Sequence, residues 1–90
     1  MGPIGEAISA KLKARFSPSR LDLVDDSDRH LGHAGHREGG ESHFNLTIES
    51  AAFAGLSRVA RQRLVNEALK EELAGPVHAL SVKALAPGEG

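Results

Sequence analysis

Ninety residues, 40% hydrophobic and 26% charged, suit one small globular domain: a second would leave neither half enough core, and the ordinary composition excludes wholesale disorder. Eleven basic against twelve acidic residues give a formal charge of −1, a poor footprint for a dedicated nucleic-acid binder. With 3% aromatics and no cysteine, the core must be aliphatic, and the chain has neither a disulfide framework nor a self-sufficient thiolate metal site.

Ile4, Ile8, Leu12 and Phe16 recur every four residues, with Ala7 and Ala14 beside them and Lys11, Lys13 and Arg15 between. That spacing predicts an amphipathic helix. Ser17-Pro18-Ser19 ends it, because proline disfavours the helical conformation of the residue before it. The three basic residues are read as a solvated face, and those in the last turn suit the negative end of the helix dipole. Leu21–Asp25 alternates apolar and polar positions as a first strand. Periodicity then stops: residues 26–44 hold four of the five histidines and four of the ten glycines, so 27–41 is expected to be a long, flexible loop.

From Ser42 the alternation resumes, with Phe44, Leu46 and Ile48 inward and His43, Asn45, Thr47 and Glu49 outward, a half-buried second strand. Ser50–Gly55 reads as a turn, with Phe53 covering the edge of the core. Ser57 caps a second helix whose apolar stripe is Ala60, Leu64, Val65, Ala68, Leu69 and Leu73. Its exposed face is Arg58, Arg61, Arg63, Glu67, Lys70 and Glu71, and Gly75-Pro76 terminates it. Val77–Leu85 is predicted as a third strand, with His78, Leu80, Val82 and Ala84 sharing one face, and Ala86–Gly90 as a frayed tail.

The fold class expected is α+β, a small three-stranded mixed sheet with two main helices in the order helix-strand-strand-helix-strand. One domain fills residues 1–90, its ordered core running from about 3 to 85. The first two strands are joined by a loop and pair antiparallel; the second and third are joined by a helix and pair parallel. A parallel third strand begins at the end of the sheet where the second begins. His78 is therefore expected to face the histidine loop. Met1–Glu6 lacks a basic region followed by an apolar run, and no segment approaches the length of a bilayer span. A soluble, cytoplasmic protein with no membrane partner is expected.

These residues resemble the BolA family. The matching pieces are Leu21-Asp22-Leu23-Val24-Asp25-Asp26-Ser27-Asp28-Arg29-His30, Glu41-Ser42-His43-Phe44, Phe53-Ala54-Gly55, Arg61-Gln62-Arg63 and Val77-His78-Ala79-Leu80, spread over nearly the whole chain. The family usually carries histidine where this chain has Gln62. The resemblance implies a domain similar to class II KH folds. It also implies pairing with a monothiol glutaredoxin through a bridging [2Fe–2S] cluster, in iron–sulfur cluster trafficking or iron homeostasis; some family members are treated as DNA-binding transcription regulators. The family's cluster ligand from the last strand corresponds to His78, and its Cys or His ligand from the first loop corresponds to His30.

Histidine can replace cysteine on one iron of such a cluster. Without cysteine, this chain can offer only imidazoles, while a cysteine and glutathione from the partner side hold the other iron. The isolated chain, a monomer or weak homodimer, is expected to hold no cofactor. Imidazole binds a metal only when unprotonated, which makes a labile site suited to transfer or sensing. For His78 the plain alternative is a histidine satisfied by a backbone carbonyl, and the family match favours the ligand. His33 and His36 continue a three-residue spacing and are either alternative loop ligands or solvated. His43 is given a structural or interface role. Gly32-His33-Ala34-Gly35 matches the GxxG loop of KH domains but lies between strands, and is read as chance. Arg58, Arg61 and Arg63 are the candidates for the alternative partner, DNA. No nucleophile, base and orienting group can be assigned, so no catalytic residue and no enzyme activity are expected.

Overall fold

The computed structural model describes residues 2–25 and 43–89. Pro3 starts α1 (Pro3–Phe16), a position where its missing N–H costs nothing. Ile8, Leu12 and Phe16 are buried along one face, and Ile4 packs half-buried against them. Ser17 caps the helix in the left-handed conformation, its N–H bonded to the Lys13 carbonyl, and the proline after it keeps the helix from continuing.

Three strands follow the expected plan. β1 (Arg20–Asp25) pairs antiparallel with β2 (His43–Glu49), and β2 pairs parallel with β3 (Ala79–Leu85), giving the order β1-β2-β3. In β2, Phe44, Leu46 and Ile48 are buried beneath the helices while their polar neighbours are half-buried on the opposite face. Burying a side chain of this size contributes about 1.5–3 kcal/mol, so this alternation is what fixes the register. Phe53, in a 3-10 turn at Ala51–Phe53, sits at the centre of the core and not at its edge; its ring centroid lies 5.1 Å from that of Phe16. Gly55 provides the positive φ (77°) that returns the chain to the next helix.

The expected second helix is two. α2 (Arg58–Ala68), capped by the Ser57 hydroxyl, breaks at Leu69, and α3 (Lys70–Ala74) follows it. Leu69 is fully buried and leaves the helical conformation (φ −110°, ψ 19°) as it enters the core. The third strand also begins later than expected. The Val77 N–H is spent on the Glu72 carbonyl at 3.0 Å, Val77 itself is buried in the core, and strand pairing starts at Ala79. Lys11 bridges Glu71 (2.9 Å) and Glu72 (2.7 Å), tying α1 to α3. Among the described residues, no helix is long and apolar enough to cross a membrane.

The expected frayed tail is corrected for Ala86–Glu89. Ala86 is buried and donates its N–H to the Glu89 carboxylate at 2.9 Å, which folds the chain back on itself.

Ser50 joins three elements. Its hydroxyl donates to the Phe16 carbonyl (2.7 Å) and accepts from the Ala52 N–H (3.1 Å), while its own N–H donates to the Leu85 carbonyl (2.9 Å). Ser50→Ala is expected to lower stability by about 1–3 kcal/mol, because it strips a buried carbonyl of its donor. Urea unfolding would show this as an earlier midpoint at unchanged slope; an unchanged midpoint would mean that water replaces the hydroxyl.

Candidate functional site

The register fixes what meets at one rim of the sheet. Asp25, the last residue of β1, is paired with Phe44, and His43, the first of β2, is paired with Ala79, the first of β3. His78, one residue earlier, therefore lies at the rim where segment 26–42 leaves and returns. Its side chain is exposed and has no place in the inward face formed by Leu80, Val82 and Ala84. The His43 ring lies beside it, half-buried, with centroids 6.3 Å apart and planes inclined by 35°. That separation is within the range of aromatic packing.

Among the described residues, no group of three or more His, Cys, Asp or Glu side chains is arranged to hold a metal ion. The rim offers two neighbouring imidazoles and no thiol. Such a donor set fits part of a mixed nitrogen–sulfur site, with the remaining ligands supplied from elsewhere. His30, His33 and His36, the loop ligands expected from the sequence, lie outside the described residues.

The three arginines of α2 divide. Arg58 and Arg63 are exposed. Arg61 is 12% exposed at its side chain and turns into the groove between α2 and β3. There it donates to the Leu56 and Ala84 carbonyls, both at 3.0 Å, and makes a forked pair with the Glu89 carboxylate. The guanidinium and, secondarily, the Ala86 N–H lower the Glu89 pKa from 4.5 to about 2. The pair in turn raises the Arg61 pKa.

Sequence reasoning assigns His43 a structural or interface role, and the register sets it beside His78. Glu89 escaped sequence reasoning, because its partner lies 28 residues away along the chain.

Comparison with known proteins places these motifs in a family context. The family model described as BolA-like protein matches residues 12–89. BolA-like protein 1 of Mus musculus is 47% identical over 88 residues, 98% of this chain but 61% of that protein, so the chain spans under two thirds of that relative's length. The DNA-binding transcriptional regulator BolA of Vibrio cholerae is 44% identical over 79 residues, 88% of this chain and 71% of that protein. Among solved structures, the BolA domain of SufE1 from Arabidopsis thaliana superposes with a TM-score of 0.88 at 42% identity, covering 100% of this chain and 99% of that one.

The depressed Glu89 pKa gives a pH signature. A carboxyl group more acidic in the folded state stabilises the fold fully above its unfolded pKa and loses that contribution as pH falls toward its folded pKa. The stability difference between the parent and Glu89→Gln is therefore expected to hold from neutrality to about pH 4.5, then shrink toward pH 2. Urea melts of both proteins across this window test it; a gap that stays constant into acid would show that the pair does not form in solution.

Proposed function

Because this chain belongs to the BolA-like protein family, we propose that it is an interaction protein that pairs with a monothiol glutaredoxin and helps ligate a shared [2Fe–2S] cluster. The observation that carries this reading is the exposed His78 imidazole beside His43, at the rim where the segment bearing His30 leaves and returns. His78 offers a ring nitrogen to the cluster, and the His43 ring lies beside it. His30 is the proposed second ligand, with His33 and His36 as alternatives. The cysteine and glutathione of the partner side complete the set, because this chain has no thiol of its own. Bound there, a cluster with histidine on one iron supplies a raised reduction potential and a labile, transferable form of iron. Cluster trafficking or iron-homeostasis regulation, without enzymatic turnover, is the role this supports, and the proposed compartment is the cytoplasm.

Co-expression with a monothiol glutaredoxin is expected to yield a coloured heterodimer. His78→Ala should bleach it while leaving the far-ultraviolet circular dichroism of the isolated chain unchanged, since the side chain is exposed. His43→Ala should retain colour with an altered visible dichroism. An identical cluster spectrum in His78→Ala would remove that residue from the site.

A second reading rests on the Vibrio cholerae relative, described as a DNA-binding transcriptional regulator. With Arg61 engaged by Glu89, it would fall on the exposed Arg58 and Arg63. It predicts DNA binding that weakens steeply with salt and is lost in Arg58→Ala/Arg63→Ala. Electrophoretic shifts that show no binding at low salt would end it.

A further inference from the structure

Among the described residues, β3 is an edge strand, paired with β2 on one side only. Its C-terminal end shows how the other side is closed. The Leu85 carbonyl faces the β2 side, where it accepts from the Ser50 N–H at 2.9 Å. The Ala84 carbonyl, one residue earlier, faces the unpaired edge, and Arg61 takes it at 3.0 Å. The Ala86 N–H is held by Glu89 at 2.9 Å. The outer edge thus presents an acceptor, a donor and a guanidinium side by side: Glu89 engages the donor and the guanidinium, and the guanidinium engages the acceptor.

This edge borders a groove of about 630 Å³ between α2 and β3. Arg58 and Lys83 line it with Arg61; both are exposed, and among the described residues neither has an ion-pair partner. Among the described residues, Glu89 is the single carboxylate in the lining, against three cations, and no aromatic side chain there offers a platform on which a nucleic-acid base would stack.

We propose that the outer edge of β3 beside Arg61 is a strand-addition site for an extended acidic segment of a partner protein, which Glu89 keeps closed by occupying the same groups. An incoming strand would donate an N–H to the second lone pair of the Ala84 carbonyl, offer a carbonyl to the Ala86 N–H, and place a carboxylate on the Arg61 fork. Lys83 and Arg58 would receive further acidic side chains along the groove. While closed, the clasp removes the exposed backbone edge that would otherwise template unwanted pairing.

The test uses a capped, fluorescein-labelled hexapeptide of alternating glutamate and valine, with its glutamine counterpart and an oligothymidylate as comparisons. A clasp closed about nine-tenths of the time lowers apparent affinity about tenfold, so Glu89→Gln is expected to bind the acidic peptide about tenfold tighter than the parent in fluorescence anisotropy. Adding Lys83→Gln should weaken that binding without disturbing the fold, and the glutamine peptide should bind neither protein. Amide shifts on binding should cluster at Val82–Ala86. Equal affinity in parent and Glu89→Gln, shifts centred elsewhere, or preference for oligothymidylate over the acidic peptide would each overturn the proposal.

Discussion

The parallel pairing of β2 with β3, in register from His43 opposite Ala79 to Glu49 opposite Leu85, is the constraint on which the rest depends. A parallel pair starts both strands at one end and finishes both at the other, and it needs a crossover long enough to return the chain. α2 and α3 provide that crossover, and α1 and α2 share the core with the sheet's inner face. Each end of the pair is pinned by one residue. Val77 seats the start of β3 in the core, and Ser50 ties the ends of α1, β2 and β3 together. A shift of one residue would turn Phe44, Leu46 and Ile48 toward water, a loss of several kcal/mol that no surface contact could offset.

Much of this was legible because it is carried by periodic burial. The four-residue recurrence from Ile4 to Phe16 gave α1, and the alternation through Phe44, Leu46 and Ile48 gave β2. A loop between β1 and β2, then a helical stretch before the last strand, implied one antiparallel and one parallel pair, which placed His78 at the end of the sheet where β2 begins. What was illegible depends on contacts distant in sequence or on backbone details that side-chain patterns do not encode. The break at Leu69 interrupts a stripe that reads as continuous. The later start of β3 follows from a single hydrogen bond between Val77 and Glu72. A helical wheel puts Arg61 on the exposed face, yet its long side chain reaches back into the groove to meet an acid from a Pro-Gly-rich tail that composition alone would leave frayed. His30, His33 and His36 lie outside the described residues, so the sequence alone speaks for them.

The two ends of β3 carry different chemistry. At its start lies an exposed imidazole with a second imidazole beside it; at its finish lie a guanidinium and a carboxylate paired with it. Seven strand residues separate them, about 20 Å, further than a screened charge reaches at physiological salt. A ligand at the rim and a partner strand at the edge can thus be accommodated together without direct competition. Any coupling between them would run along the strand itself, whose register both ends share.

The proposed cluster would meet the chain at the rim marked by His43 and His78. Paramagnetic broadening in the 15N-correlation spectrum of this chain, mixed with a cluster-loaded monothiol glutaredoxin, tests this placement most directly. The amide signals of His43, His78 and Ala79 are expected to vanish, with broadening that fades along β3 and leaves Leu85 and Glu89 sharp. Broadening centred on α2 or on the Glu89 clasp, with His78 left sharp, would contradict it.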